Sequence, residues 1–315
     1  MLPEPAPAAK RALAYAGGMS MSGGAIIVHG GAGDWSADDG DGAAPIAGCA
    51  AAARAGYEVL GRGGSALDAA VAAVVVLEDD PQFNAGLGSA LTEDGDVECD
   101  ASVMWGDGRA GAVGALRDVR NPIVAARLVM ERTSHVLLVG AGASAFAAAN
   151  GVALLPAGAL ITPRARTRWE AVRARRAASA SGGTVGCVVR DASGALAAAT
   201  STGGMLGKRA GRVGDSAVIG AGTYADAGAG AVSCTGVGEA FIKAAAAKQA
   251  VEAMRAGQSP ADAARAILPA VRRYGGNGGL ICVDAAGRIG VAYDTPRMAH
   301  AWIDGDGREG SGFGG

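Results

Sequence analysis

The chain has 315 residues, half of them apolar and 18% charged, with a formal net charge of -2. That length supports a full core in one large domain or two, and the composition is that of a globular protein. The balanced charge leaves no electrostatic footprint for nucleic acid or an anionic membrane, and the 53 glycines follow no G-x-y period, which excludes collagen.

The N-terminal stretch MLPEPAPAAKRALAYAGGMSMSGG (1–24), rich in Ala, Pro and Gly, is expected to be a disordered extension. Its ALAYA run after Lys10-Arg11 is too short for a signal-peptide core, so a cytoplasmic location is the default. AIIVHGG (25–31) reads as a short buried strand ending in a glycine turn. Residues 45–60 and 65–79 read as alanine-rich helices, the second with Ser65 as N-cap. Its apolar run AVAAVVVL (70–77) is far too short for a membrane span and ends in three acids, Glu78-Asp79-Asp80. LTEDGDVECDASVMWGDGRAGAVGAL (91–116) reads as short strands punctuated by Asp-Gly turns.

NPIVAARLVMER (121–132) is expected to be a helix with Pro122 in its first turn, and HVLLVG (135–140) another buried run. Gly140-x-Gly142-x-x-Ala145 superficially fits a dinucleotide fingerprint. The acid such a site needs about 20 residues on is missing, because ITPRARTRW precedes the first candidate, Glu170. Residues 157–182 are basic and weakly periodic, a helix trailing into an exposed, flexible linker. Beyond it, TVGCVVR, the turn DASG and ALAAATST read as a hairpin. EAFIKAAAAKQAVEAMRAG (239–257) and SPADAARAILPAVRR (259–273) read as helices, and GGLICVD with RIGVAYD as a closing hairpin. Strands at both ends with helices between them predict an α+β fold of layered sheets and helices.

Five scattered cysteines, Cys49, Cys99, Cys187, Cys234 and Cys282, contain no C-x-x-C pair and read as buried free thiols in a reducing compartment. Three histidines are too few and too far apart for a zinc site. HGGAG (29–33) resembles a hydrolase oxyanion loop. Its required partner, G-x-S-x-G, is absent, since neither Ser65, Ser144 nor Ser216 has glycine two residues later.

The stretch SGGTVGCVVR (181–190) places Thr184 between a glycine pair and an alternating strand. A threonine hydroxyl is a poor nucleophile without a base, and a free α-amine on the same residue can be that base. With an ordinary pKa near 8, about right for work at neutral pH, the amine appears only if the Gly183–Thr184 bond is cut. Downstream, Arg212 and Asp215 in GRVGDS could grip a carboxylate and an ammonium group. Thr235 in SCTGVGEAF, with nearby backbone N–H groups, could form an oxyanion hole. Taken singly, Thr184 reads equally as a strand threonine, Arg212 and Asp215 as a loop ion pair, and Thr235 as a helix cap.

The ordered set decides between them. FNAG, RNPIVAAR, GTVGCVV, ATSTGGM, GRVGDSAVIGAGTYAD, VSCTGVGE and GGNGGL, running from about HGGAG to PRMAHAW, resemble the plant-type (class III) L-asparaginase/isoaspartyl aminopeptidase family of N-terminal-nucleophile hydrolases. The resemblance implies a four-layer αββα sandwich, one domain formed by two autocleaved chains. The α subunit would end at Gly183 and the β subunit would run from Thr184 to residue 315. It implies that Thr184 is the nucleophile of self-cleavage and of turnover, that Thr202 supports its hydroxyl and that Asn84 lies near it. Thr235 and Gly236 would stabilise the oxyanion, and Arg212-Val213-Gly214-Asp215 with Thr235-Gly236-Val237-Gly238 would line the substrate site. It further implies a sodium loop of mainly backbone carbonyls at Leu77, Glu78, Asp80, Phe83, Ala85 and Leu87, and a dimer of αβ units. Chemistry would need no cofactor. The substrates implied are isoaspartyl (β-aspartyl) dipeptides and L-asparagine. A glycosylasparaginase is the nearest alternative, ahead of a threonine aspartase, a non-catalytic binding module or a nucleotide-binding oxidoreductase. Phe83 and Trp302 read as packing residues.

Overall fold

The computed structural model describes residues 23–33, 35, 42–175 and 183–314. The extension expected up to residue 24 lies almost wholly outside them, as do linker residues 176–182. Strands β1 (Ala25–Gly33), β2 (Cys99–Trp105), β3 (Ala110–Leu116), β4 (Leu137–Val139), β5 (Val185–Arg190), β6 (Leu196–Thr202), β11 (Arg297–Ile303) and β12 (Glu309–Gly314) form one sheet. Its order is β12-β11-β1-β5-β6-β2-β3-β4. A second sheet, β10-β9-β8-β7, comprises β7 (Thr223–Asp226), β8 (Gly230–Gly236), β9 (Gly278–Asp284) and β10 (Ile289–Tyr293).

Helices α1 (Ala43–Gly61), α2 (Ala66–Asp79) and α3 (Pro122–Arg132) cover the outer face of the large sheet. Helices α6 (Gly238–Ala244), α7 (Ala246–Arg255) and α8 (Pro260–Arg273) cover the outer face of the small one. The result is the αββα sandwich. Period-two alternation decides the layers. On β1, Ile26 and Val28 face the helices while Ala25 and Ile27 face the small sheet. On β9, Leu280 and Cys282 face α6–α8 while Ile281 and Val283 face back. All five cysteines are buried and free.

Several helix starts follow their local chemistry. Ser65 and Asp68 cap each other's backbone N–H groups at α2, and Pro122 and Pro260 occupy first-turn positions of α3 and α8. Helix α5 (Pro163–Arg175) anchors the stretch before the linker through Trp169, which is buried and donates to Thr92 O at 2.7 Å. The helix expected over 239–257 is corrected to two, because Ala245 turns left-handed at φ +45°. Instead of continuing one helix, Ala247 and Lys248 donate to the carbonyls of Ala221 and Gly220. The burial expected for HVLLVG is also corrected. β4 is an edge strand parallel to β3, with one side unpaired among the described residues, and Val136, Leu137 and Val139 are exposed.

Candidate active site

Thr184 stands immediately before β5, which pairs with β1 on one side and β6 on the other. It is therefore held in the middle of the large sheet and is buried. Its hydroxyl donates to Thr202 Oγ1 at 3.2 Å. Thr202 Oγ1 also accepts Gly204 N–H at 2.9 Å and donates to the Gly183 carbonyl at 3.1 Å. Asn84 Nδ2 donates to the same Gly183 carbonyl, and to Gly204 O, at 2.7 Å each. Asn84 is itself fixed, its Oδ1 accepting Ala90 N–H at 2.6 Å. The structure thus joins Asn84, Gly183, Thr184 and Thr202. The carbonyl that precedes the nucleophile is polarised by two donors, the arrangement an oxyanion requires.

The HGG turn completes this row. Gly31 has φ +112°, and a Cβ there would lie 2.9 Å from Gly183 Cα and 3.1 Å from Thr184 N. Only glycine lets β1 pass so close. Phe83 packs in the core against Gly30 and Gly48.

The substrate-binding candidates gather at the end of β8. Thr235 is fully buried, and its Oγ1 accepts Ala32 N–H at 3.1 Å, tying β8 to β1 next to Gly31. Gly236 follows at φ +146°, where a Cβ would overlap Asn277 O. Val237 is the N-cap residue of α6. A Cβ on Gly238 would lie 2.8 Å from Asp215 Oδ1 and 2.9 Å from Arg212 Nη2. Arg212 and Asp215 therefore converge on the start of α6. Val213 packs against Gly114 of β3.

Burial pushes the Asp215 carboxyl up to about 7, with Arg212 opposing and Asp100 and Glu239 adding to the rise. Its Oδ2 is buried with no hydrogen-bond partner among the described residues. A buried acceptor beside a guanidinium suits an incoming ammonium group.

Two residues here, Glu239 and Asp100, were not singled out from sequence, and a third, His29, reads there only as part of a strand-end glycine turn. Glu239 holds Arg212 bidentately, Nε to Oε1 at 3.0 Å and Nη2 to Oε2 at 2.9 Å. Asp100 accepts Gly214 N–H at 2.8 Å. His29 is fully buried and bonds through Nε2 to Ser233 Oγ at 2.9 Å. Glu239 stood inside VSCTGVGE, and a charged Asp100 within an apolar strand was a legible signal.

The 77–87 segment closes α2 and carries Asn84. Glu78 is buried, and its Oε1 accepts Ser201 Oγ at 2.6 Å and Ile123 N–H at 3.0 Å. Burial raises its carboxyl to about 8. Asp80 Oδ1 accepts Gln82 N–H at 3.0 Å. Leu77, Phe83 and Ala85 are buried and Leu87 is half-buried. Glycine at 86 and 88 leaves the carbonyls of Glu78, Pro81 and Phe83 uncrowded. Gly140, Gly142 and Ala145 open α4 (Gly140–Ala149), beside the exposed β4. An open cavity of about 780 Å³ at Arg190, Arg288 and Trp302 lies at the far end of β5 from Thr184.

A family model described as asparaginase matches residues 22–312. The chain is 46% identical over 287 residues to the isoaspartyl peptidase/L-asparaginase of Xenopus laevis, covering 89% of this chain and 92% of that protein. It is 47% identical over 264 residues to the isoaspartyl peptidase of Salmonella typhimurium, covering 78% and 83%. The isoaspartyl peptidase/L-asparaginase of Homo sapiens is 46% identical over 278 residues, covering 83% and 87%.

Proposed function

The chain belongs to the asparaginase family, and from that premise we propose that it is a self-cleaving threonine amidohydrolase acting on isoaspartyl dipeptides and L-asparagine. One observation carries the reading: the Gly183 carbonyl is held by Asn84 Nδ2 and Thr202 Oγ1, with the Thr184 hydroxyl bonded to that same Thr202.

In self-cleavage, Thr184 Oγ attacks the Gly183 carbonyl carbon. The Gly183–Thr184 C–N bond breaks, the nitrogen takes up a proton, and an ester joins Gly183 to Oγ. Water hydrolyses that ester, leaving a Gly183 carboxylate and a free Thr184 amine. In turnover the amine accepts the hydroxyl proton as Oγ attacks the substrate's side-chain carbonyl, then returns it to the leaving amine. Water hydrolyses the resulting β-aspartyl ester and releases aspartate. Thr235 and Gly236 serve the substrate's oxyanion. Arg212 takes the α-carboxylate and Asp215 the α-ammonium, a division supported by Asp215 Oδ2, which has no partner among the described residues.

A sodium ion on the main-chain carbonyls of Leu77, Glu78, Asp80, Phe83, Ala85 and Leu87 would stiffen the loop that carries Asn84. Gly86 and Gly88, which leave the carbonyls of Glu78 and Phe83 uncrowded, support it. A dimer of αβ units completes the assembly. A reducing, cytoplasmic location is supported by the five buried free thiols. Among the described residues no helix is long and apolar enough to cross a membrane.

Mass spectrometry of the purified protein tests the reading. A fragment beginning at Thr184 is expected, and an intact chain after prolonged incubation would overturn it. Kinetics on β-Asp-Leu, L-asparagine and a glycosylated asparagine, run side by side, then rank the substrates.

A further inference from the structure

Asp100 has no exposed surface and lies in β2 between Cys99 and Ala101. A carboxylate is tolerated in such a place only when its oxygens are bonded and its charge is matched. Both oxygens are bonded. Oδ1 accepts Ala115 N–H at 2.9 Å and Oδ2 accepts Gly214 N–H at 2.8 Å. Burial pushes the Asp100 carboxyl above its ordinary range, and Lys208, the two N–H donors and Arg212 oppose that rise. Lys208 is itself buried and donates to Glu98 O at 2.8 Å.

The backbone around Asp100 is shaped for this contact. The β2–β3 register shifts between Cys99 and Ala101, so that Gly114 and Ala115 of β3 bulge opposite the single Asp100. Bulges commonly re-aim a side chain beside a site. Ala115, whose N–H it holds, is at φ +47°, a strained position for a residue with a Cβ. On the other side of β2, Asp100 stands directly opposite Thr202 on β6. Opposed residues of an antiparallel pair share a face. Asp100, Thr202 and Thr184 therefore form one row across three segments of the sheet. Two residues along β2 on that same face, Ser102 holds Ser216 O at 2.6 Å. Strand β2 thus grips the 214–216 segment at two points, while Glu239 holds only the head of Arg212.

We propose that Asp100 is a positioning residue of the substrate site: it touches no substrate, and by holding Gly214 it sets the Arg212–Asp215 loop in register with Thr202 and Thr184. A β-aspartyl substrate must present its side-chain carbonyl to Thr184 while its α-groups are gripped. The spacing between grip and nucleophile is what this link sets. The inference rests on the reading of Arg212 and Asp215 as the α-group binders.

The test compares the wild type with Asp100→Asn, Arg212→Ala and the double variant, on β-Asp-Leu. Asp100→Asn should still cleave itself before Thr184. Its KM should rise about tenfold, the loss of one charge-assisted hydrogen bond, with kcat within about threefold. In the Arg212→Ala background the same change should lower kcat/KM by less than about twofold, since the loop it serves has already lost its grip. An unchanged KM in folded Asp100→Asn, or an equal loss in both backgrounds, overturns the proposal. If Asp100→Asn fails to fold, Asp100→Glu keeps the buried charge but displaces it by one methylene. It then takes the place of Asp100→Asn in both backgrounds, and the same two results overturn the proposal. L-aspartate binding, measured by calorimetry on the same variants, separates this inference from the functional reading. A wild type that binds L-aspartate without turnover breaks only the functional reading, and the variants then decide Asp100 from affinity. A wild type that does neither overturns both.

Discussion

The helix-covered face of the large sheet and the face turned toward the small sheet are built from the same strands, yet they differ in kind. Toward the helices, β1, β2, β5 and β6 present Ile26, Val28, Ala101, Val103, Val185, Cys187, Val189, Ala197 and Ala199. Toward the small sheet they begin equally apolar, with Ile27, Met104, Val188, Leu196 and Ala198. Near the nucleophile that inner face turns polar, with His29, Asp100, Ser102, Thr200 and Thr202, all of them buried. Buried apolar side chains need only volume, whereas buried polar ones each need a partner. The polar end is consequently a chain of fixed distances, and that rigidity suits chemistry.

The sharpest way to break this contrast is Thr184→Ala. It should abolish self-cleavage and lower turnover by about a million-fold, the usual scale for loss of a nucleophile, with a normal Tm. Asn84→Ala removes one of the two donors on the Gly183 carbonyl and should slow self-cleavage about 100- to 1,000-fold, read as intact chain against time. The opposite face should behave oppositely. Leu67 on α2 is fully buried in the helix-side cluster, and Leu67→Ala should cost about 2–5 kcal/mol in chemical denaturation. The kcat of the folded, cleaved fraction should stay unchanged. A large rate effect from Leu67, or a large stability effect from Thr184, would erase the distinction.

An intermediate effect is expected from pH. Asp215 must be ionised to hold an α-ammonium, and burial has raised its carboxyl to about 7. Below that pH the free enzyme carries a neutral Asp215, so kcat/KM should fall by about one decade per unit as the pH drops. Above it the group is charged and this limb is flat. The Thr184 amine adds its own acid limb near pH 8. A substrate analogue without the α-amino group separates the two, because it should lose the Asp215 limb and keep the other.

What sequence could anticipate divides along the same line. Local chemistry was legible: the Ser65 cap, the prolines of α3 and α8, the β5–β6 hairpin and the glycine-flanked hydroxyls of the site. HVLLVG was not, because an apolar run carries no mark of whether a strand has a neighbour on its outer side. The break at Ala245 was hidden because its cause, the carbonyls of Gly220 and Ala221, lies outside the helix. β11 escaped because RMAHAWI does not alternate cleanly between polar and apolar residues, and β12 because EGSGFG is glycine-rich. Asp100 and Gly214 meet across 114 residues of chain, and His29 and Ser233 across 204. Motif order brought Thr184, Thr202, Arg212 and Asp215 into view; contacts at that separation leave no local trace.

The smallest predicted effect probes the polar face where it supports chemistry without performing it. His29 Nε2, Ser233, Thr200, Thr223, Ser102 and the Ser216 carbonyl form successive contacts of 2.9, 2.7, 2.6, 2.8 and 2.6 Å. Thr223 donates to Thr200, and Ser102 reaches both Thr223 Oγ1 and the Ser216 carbonyl. His29 ends the chain between two partners, Ser233 Oγ at Nε2 and the Thr184 main chain. Burial holds this ring neutral by driving its pKa down to about 3, so it keeps a single proton across the physiological range. Ser233→Ala removes the partner of His29 Nε2 and should cost about 1–3 kcal/mol in urea unfolding, the penalty for leaving a buried polar group unpaired. Turnover should change less than about threefold, because Thr184, Thr202 and the Arg212 loop keep their own bonds. Nitrogen NMR of His29 reads whether Nε2 donates to Ser233 or accepts from it, and either way an unchanged unfolding free energy in Ser233→Ala would break the prediction.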